Sequence, residues 1–253
     1  MTILHFSQVG STMDEARRAV EGGQTLPFIL LADVQTEGRG RIEGRRWEAG
    51  PGSSLTMTLC LEPSASLKPA LSLRVGLGAA RRLALFESLA GRIALKWPND
   101  ILGLDRLEGR WKKLGGILCE SSGSGLYVGI GLNLKSEAYG PALDEKATSL
   151  ETLLSASNIG IHSLPVPRLE DLAHEIGNAV IESLSDLDWR EKYLALLWGL
   201  GQELRFKAGD PRSSHDGSGI LVDIEEDGSI VLLEQGKNRR RYHSGEISGL
   251  AGH

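Results

Sequence analysis

Hydrophobic and polar positions follow two different periods along the first two thirds of the chain. The run FILLADVQ at 28–35 is rich in large aliphatic residues, which is typical of a buried strand, whereas SLTMTLCL at 54–61 alternates strictly and predicts a strand with one buried face. Residues 69–89 are apolar almost all round, between Pro69 and Gly91, and they predict a buried helix. The same analysis predicts further strands at 92–97, 114–120 and 126–134.

Two other segments carry helical signals. Thr12 is followed three residues later by Glu15, which is the spacing of a capping box and predicts a helix from Met13 to about Glu21. From about residue 169 to residue 200, apolar residues recur four apart, which again predicts helix. The mixture of short strands and helices indicates an α+β domain.

After residue 200 the pattern changes to several short β-like runs. Asp227-Gly228 is a hairpin signal between the apolar stretches 220–224 and 230–233. About fifty residues of short strands predict a small SH3-like β-barrel. We therefore expect one domain over residues 1–199 and an SH3-like domain over residues 200–253.

Composition narrows the class of protein. The 253 residues have the 41% apolar and 24% charged content of an ordinary globular protein, and the net charge of −5 argues against wholesale attraction to nucleic acid. Two cysteines, Cys60 and Cys119, are too few for a disulfide framework and favour a reducing cytoplasm. The N-terminus does not resemble a signal peptide, and no apolar run approaches the ~20 residues that span a bilayer. We expect a soluble cytoplasmic protein that does not bind membranes.

The segment QTEGRGRIEGRRW at 35–47 is basic, although acidic residues outnumber basic ones in the whole chain. Four arginines and three glycines fall between positions 38 and 46. Arginine presents a fork of donors that matches carboxylate or phosphate oxygens, and glycine lets the backbone approach a ligand closely. The pattern is not that of a Walker A loop. It predicts a flexible cationic clamp for a small polyanion, although a solvated basic loop or an RGG-like RNA contact stays open at this point.

Further motifs extend this pattern into a resemblance. They are Ser11-Thr12, KWPNDI at 96–101, KLGGIL at 113–118, GIGLN at 129–133 and GEIS at 245–248. In this order and spacing, together with the arginine loop, they resemble the motifs of the biotin protein ligases. The resemblance implies a catalytic domain related to class II aminoacyl-tRNA synthetases, with a mixed sheet flanked by helices, followed by the SH3-like domain.

The resemblance also implies a two-step reaction. The biotin carboxylate attacks the α-phosphorus of Mg-ATP to give biotinyl-5′-AMP, and a lysine of a biotin carboxyl carrier protein, the acetyl-CoA carboxylase subunit, then takes the biotin and releases AMP. Because the first motif begins at Ser11, we expect no winged-helix repressor domain before it and no binding to DNA. Exposed β edges favour a homodimer.

Site residues can be transferred from the family position by position. The resemblance implies that biotin is bound by Ser11, Thr12, Met13, Gln35, Arg39, Gly40, Arg41, Lys113, Gly115, Gly116 and Gly129. Met13 stands where the family pattern leads us to expect asparagine. The glycines of this set, with Gly131, would keep strand surfaces bare for a flat ligand. Simple helix capping is the plainer role for Ser11 and Thr12, and both roles can coexist.

The nucleotide would lie next to this pocket. The resemblance implies that it is bound by Arg41, Arg45, Trp47, Lys96, Asn99, Asp100, Lys113 and Asn133, with Arg39, Arg41 and Lys113 as the catalytic cations. Asp100 would orient Mg²⁺ or the adenylate end, unless it is only a turn residue after Pro98. The pair Ile42-Glu43 stands where the family pattern has one residue, so the clamp is one residue longer just before Gly44 and Arg45.

Two competing functions are considered. A lipoate or octanoate ligase of the same fold would need a long apolar tunnel, whereas Ser11, Thr12 and Gln35 suit a polar bicyclic head. A non-catalytic RNA-binding module would use the arginine loop, but the acidic net charge of −5 and the presence of Lys113 in its motif argue against it.

Overall fold

A computed structural model of the chain describes residues 1–42, 44, 46–47, 50–139, 143, 145–155, 168–209, 215–234 and 238–250. Within these residues, seven strands form one mixed sheet. They are β1 (Thr2–Val9), β2 (Phe28–Gln35), β3 (Ser54–Leu61), β4 (Ile93–Lys96), β5 (Asp100–Asp105), β6 (Arg110–Ser122) and β7 (Gly125–Asn133). Their order across the sheet is β1-β2-β3-β7-β6-β5-β4, in which β1 pairs with β2 in parallel and the other neighbours pair antiparallel.

The predicted strands are confirmed, and β1 and β5 were not expected. β3 lies in the middle of the sheet, and all eight of its residues are buried. The prediction that it buries one face was therefore wrong. Both faces are covered: Met13 and Ala16 pack with Cys60 on one side, whereas helices from later in the chain cover the other.

The helices are α1 (Thr12–Glu21), α2 (Leu71–Ala84), α3 (Leu150–Ser155), α4 (Leu169–Leu184) and α5 (Trp189–Leu194), with short 3-10 turns at Pro63–Leu67, Glu87–Leu89 and Ser136–Ala138. The predicted helix over 69–89 is shorter in the structure, because the chain leaves the α-helix after Ala84 and exposes Leu85. None of the described helices has both the length and the apolar character that a membrane crossing requires.

The N-terminal end of α1 differs from the predicted capping box. Ser11 is the N-cap residue, and its own side chain makes no capping hydrogen bond. Thr12 instead donates its hydroxyl to the side chain of Gln35 at 3.0 Å, and Glu15 pairs with Arg18. A partner distant in sequence thus replaces the local cap.

The helical stretch predicted over 169–200 is divided into α4 and α5. Asp186, in the turn between them, accepts a hydrogen bond from Arg74 of α2 through its backbone carbonyl at 2.8 Å. The guanidinium of Arg74 also lies over the ring of Trp189, 4.8 Å from its centroid. Because these contacts come from another helix, the period of the sequence does not mark the break.

The C-terminal residues form a second, antiparallel sheet. Its strands are β8 (Glu203–Ala208), β9 (His215–Ile224), β10 (Ile230–Glu234), β11 (Asn238–Tyr242) and β12 (Gly245–Leu250), in the order β11-β10-β9-β8-β12. The hairpin at Asp227-Gly228 is confirmed. Among the described residues, β11 and β12 are the edges of this sheet and do not pair with each other. The closed SH3-like barrel and the domain boundary near residue 200 stay predictions.

Candidate active site

A cavity of about 140 Å³ opens over the sheet where α1 begins. The arginine segment (residues 38–47, of which 38–42, 44, 46 and 47 are described) lies over it, and β6 and β7 form its floor. Residue Glu246 of β12 also reaches the cavity, so the C-terminal sheet contributes to its wall. The cavity therefore lies where most of the sequence motifs meet.

Hydrogen bonds fix the polar end of the cavity. Thr58 of β3 donates its hydroxyl to Thr12 Oγ1 at 2.9 Å, and Thr12 donates both its hydroxyl and its backbone N–H to Gln35 Oε1, at 3.0 and 2.8 Å. The side-chain oxygen of Gln35 thus satisfies one of the unpaired N–H groups at the start of α1. Its amide nitrogen is the end left to donate to a ligand.

Met13 forms part of the apolar wall beside this network. It is 4% exposed, and a Cβ built on Gly129 would lie 3.0 Å from its sulfur atom. The bare surface at Gly129 is therefore covered by the Met13 side chain in this structure.

The arginine segment is closed by a tight backbone contact. Trp47 donates its backbone N–H to the carbonyl of Gly38 at 3.0 Å, and Arg39 and Arg46 form an isolated antiparallel bridge. A Cβ at Gly38 would lie 2.3 Å from the carbonyl oxygen of Trp47. Only glycine fits at this crossing, because the atom it would meet belongs to the backbone.

The indole ring of Trp47 rests on the floor of the cavity. A Cβ at Gly131 would lie 2.5 Å from Trp47 Cε2, whereas a Cβ at the cross-strand neighbour Gly116 would lie 3.7 Å from Cζ3. The indole nitrogen is buried and has no acceptor among the described residues. Trp47 thus anchors the end of the arginine segment on β7.

Arg39 and Arg41 are held by different partners. Arg39 donates from both terminal nitrogens to the two oxygens of Asp14, each at 2.7 Å. This hydrogen-bonded pair holds the pKa of Asp14 below its usual range and raises that of Arg39. Arg41 donates to the backbone carbonyl of Gly245 at 2.8 Å, so it links the segment to β12.

Lys113 and Asp100 form an ion pair inside the lining. Lys113 Nζ lies 2.7 Å from Asp100 Oδ1, and the lysine and aspartate side chains are 41% and 19% exposed. The backbone of Lys113 is bound by residues 146–148, since its N–H donates to the carbonyl of Lys146 at 2.8 Å and its carbonyl accepts from the N–H of Thr148 at 2.9 Å. These bonds fix the strand that carries the ammonium group.

The structure brings most of the predicted site residues together. Those that line the cavity are Ser11, Thr12, Met13, Gln35, Arg39, Gly40, Arg41, Trp47, Asn99, Asp100, Lys113, Gly116, Gly129 and Gly131. The lining also includes Ile42, Arg46, Met57, Ile117, Leu118, Ile130 and Glu246, which were not predicted. All of these except Met57 lie within the quoted motifs or the arginine loop, so their motif membership was the available signal.

Three predicted residues lie outside the lining. A Cβ at Gly115 would lie 2.4 Å from Leu132 Cδ2, which is a packing contact inside the sheet. Lys96 Nζ lies over the ring of Trp198, 5.6 Å from its centroid. Asn133 donates to the carbonyl of Thr148 at 3.0 Å and is 5% exposed. Arg45 lies outside the described residues.

The lining was also tested for a metal site. Among the described residues, no three His, Cys, Asp or Glu side chains converge as metal ligands. Asp100 and Glu246 are the carboxylates of the described lining. An ion carried by a ligand with its own oxygens can use a single carboxylate, which is how Mg²⁺ commonly binds beside phosphates.

Comparison with known proteins identifies the family. The model of the biotin/lipoate A/B protein ligase family matches residues 11–136. The chain is 30% identical over 240 residues to a biotin--[acetyl-CoA-carboxylase] ligase of Paracoccus denitrificans, and the match covers 89% of this chain and 92% of the relative. It is also 30% identical over 239 residues to a biotin--[acetyl-CoA-carboxylase] ligase of Mycobacterium tuberculosis, covering 89% of this chain and 81% of that relative. The structure of the biotin protein ligase from Aquifex aeolicus in complex with biotin and ATP is similar, with a TM-score of 0.77 and 25% identity over 98% of this chain and 97% of the other. The resemblance to the biotin protein ligases is confirmed, and the chain belongs to the biotin/lipoate A/B protein ligase family.

Proposed function

We propose that this protein is an ATP-dependent ligase that activates biotin as biotinyl-5′-AMP and transfers it to a lysine of a biotin carboxyl carrier protein. The observation that carries the proposal is the polarity of the cavity. The lining combines the hydroxyl and amide network of Thr12 and Gln35 with the ammonium group of Lys113 and the guanidinium groups of the arginine segment. This arrangement suits a ligand with a neutral polar head and an anionic tail.

The names of the relatives support the substrate and the acceptor. The Paracoccus and Mycobacterium proteins are biotin--[acetyl-CoA-carboxylase] ligases, and the Aquifex structure holds biotin and ATP. An acetyl-CoA carboxylase biotinyl domain is accordingly the acceptor we propose. A lipoate or octanoate ligase is not favoured by these relatives.

The cations of the cavity lining counter the charge repulsion between the two substrates of the first step. A carboxylate and a triphosphate repel each other, and this repulsion grows when water is excluded. Lys113, Arg41 and Arg46 line the cavity and lower the repulsion, while the segment above excludes water that would hydrolyse the acyl-adenylate. The biotin carboxylate oxygen then bonds to the α-phosphorus as pyrophosphate leaves. In the second step the lysine amine bonds to the acyl carbon as AMP leaves.

Magnesium would enter with ATP. Asp100 fits such an ion as one carboxylate ligand beside phosphate oxygens, and its ion pair with Lys113 would hold its side chain in place. In this proposal Mg²⁺ neutralises phosphate charge, and the chain supplies the ammonium and guanidinium groups around it.

The proposal includes three further features of the protein: an SH3-like C-terminal module, a homodimer and a cytoplasmic location. The C-terminal antiparallel sheet would be an SH3-like module, because its five described strands follow one another as meandering neighbours apart from the β8-β12 pair. Edge strand β1 leaves one side of the larger sheet for a second copy of the chain, which supports a homodimer. The free thiols of Cys60 and Cys119 fit a reducing cytoplasm.

The proposed function is tested by incubating the protein with a carrier domain, biotin and Mg-ATP, and measuring the carrier by mass spectrometry. We expect one added biotinyl group, with none from lipoate. The substitution Lys113→Ala should slow biotin-dependent pyrophosphate release by ~10²-fold, the scale for losing one preorganised donor. The exposed Lys68→Ala, which lies outside the cavity lining, is the matched control.

Two results would contradict the proposal. Labelling by lipoate in place of biotin would move the activity to the other branch of the family. Salt-dependent RNA binding without any turnover of ATP would favour a binding module instead.

A further inference from the structure

Asp14 stands outside every motif that led to the site, yet it makes a two-bond contact with the arginine segment. Both of its carboxylate oxygens accept from the terminal nitrogens of Arg39, each at 2.7 Å. A two-bond fork of this kind fixes orientation as well as position. The two residues are 25 positions apart, on α1 and on the segment that lies over the cavity.

We propose that Asp14 is a positioning residue for the ligase reaction, and that the Asp14–Arg39 pair latches the arginine segment to α1 across the cavity. The proposal rests on the proposed function, since the latch retains substrate and acyl-adenylate under the segment. Asp14 itself is not part of the cavity lining, so it acts through Arg39.

The helix surface around Asp14 is connected to the sheet through Arg17. Arg17, one turn along α1, lies 3.4 Å from Asp14 and pairs with Glu120 of β6. The guanidinium of Arg17 also lies over the ring of Tyr127, 5.3 Å from its centroid. The helix side of the latch is therefore tied to the sheet.

The pair is suited to opening as well as closing. The side chains of Asp14 and Arg39 are 32% and 42% exposed, and ion pairs with this exposure are weak. A fully buried pair would hold the segment shut, because separating it would leave unpaired buried charges. An exposed, well-oriented pair lets substrates enter and still biases the segment toward the closed position.

The position of Asp14 relative to the pocket supports this role. Thr12 and Met13, its neighbours in the first turn of α1, line the cavity directly. The latch therefore joins the segment to the helical turn that contacts the polar end of the ligand site. The position of the segment and the positions of Thr12 and Met13 are therefore coupled through this turn.

The test uses Asp14→Asn, which keeps the size of the side chain and removes its charge. The matched control is Glu15→Gln, which removes an acidic group from the same turn, where Glu15 pairs with the more exposed Arg18. We expect Asp14→Asn to raise the rate of trypsin cleavage after the segment's arginines and the KM for biotin by ~3- to 10-fold, with a smaller effect on kcat. Glu15→Gln should change neither.

A double-mutant cycle shows whether the effect passes through Arg39. If Asp14 acts through the pair, Asp14→Asn combined with Arg39→Gln should cleave no faster than Arg39→Gln alone. Fragment masses identify cleavage after Arg41 and Arg46, which both variants retain. Additive effects of the two substitutions would contradict the latch.

Three further outcomes would overturn it. They are an unchanged cleavage rate in Asp14→Asn, an equal change in Glu15→Gln, and a lower KM for biotin, which would mean that Asp14 competes with the ligand for Arg39. The trypsin experiment needs no turnover. Failure of the latch is therefore distinguishable from failure of the proposed function, in which the unaltered protein would not label a carrier domain.

Discussion

A methyl group added at Gly131 should displace Trp47 and loosen the arginine segment. The Cβ of alanine at this position would lie 2.5, 2.7 and 2.9 Å from Trp47 Cε2, Cζ2 and Nε1, whereas carbon atoms pack best at about 3.5–4.0 Å. The ring must therefore move away from β7 by about 1 Å. Since Gly131 lies in a strand, its backbone adds no strain of its own to this clash.

The matched substitution is Gly116→Ala on the neighbouring strand. Gly116 pairs with Gly131 across β6 and β7, and its Cβ would make ordinary contacts, 3.5 Å from Lys113 Nζ and 3.7 Å from Trp47 Cζ3. Both substitutions restrict the unfolded chain equally, which stabilises a protein by about 0.4–1 kcal/mol when the native site accepts the side chain. Overpacking costs about 1–3 kcal/mol. We expect Gly131→Ala to be less stable than Gly116→Ala by about 1–3 kcal/mol.

Urea unfolding measures this difference, and trypsin cleavage within the arginine segment measures the local consequence. Gly131→Ala should show a lower urea midpoint and faster cleavage than Gly116→Ala. Equal midpoints together with equal cleavage rates would refute the reasoning, because they would mean that the indole does not rest on Gly131. Activity is not the readout, since both glycines lie at the floor of the proposed ligand site.

Three further outcomes are expected. Burial opposes protonation of His5, but its ring nitrogens donate hydrogen bonds to the carboxylates of Glu170 and Asp33, and these bonds raise its pKa above the usual 6.5. Its contribution to stability is therefore full below pH 6.5 and is lost as pH rises through the folded pKa. His5→Gln should lower the Tm more at pH 6 than at pH 9, and an equal loss would contradict this. Trp97→Phe removes an indole donor 3.0 Å from a carbonyl of the C-terminal hairpin and should cost about 1 kcal/mol in urea unfolding, whereas an unchanged midpoint would count against that bond. Arg41→Ala should increase release of free biotinyl-5′-AMP about tenfold in a filter assay, and unaltered retention would remove Arg41 from the clamp.

Local sequence patterns were sufficient for the elements whose burial follows a simple period. The strand over Phe28–Gln35 and the hairpin at Asp227-Gly228 are examples, because aliphatic runs and the Asp-Gly pair act through neighbouring residues. The cavity lining was largely predictable for a different reason. Its residues belong to short motifs whose order along the chain carried the resemblance.

The partners of these residues could not be predicted in the same way. Edge strand β1 is decided by its pairing with β2, and the break after α4 is decided by Arg74 from another helix. The capping box failed because Ser11 takes the N-cap position, while the hydroxyl of Thr12 is bound by Thr58 and by Gln35, 46 and 23 residues away. Each outcome depends on a contact between residues distant in sequence, which no local period contains.

The arginine segment shows the difference between what the sequence determines and what the tertiary structure decides. Its sequence alone determined that the chain concentrates guanidinium groups and glycines on one short loop, because charge and backbone freedom are properties of the residues themselves. Only the tertiary structure decided that Arg39 pairs with Asp14, that Arg41 reaches β12 and that Trp47 rests on Gly131. These choices follow from which groups the folded sheet and α1 bring together, because hydrogen bonds and packing contacts both act only at short range.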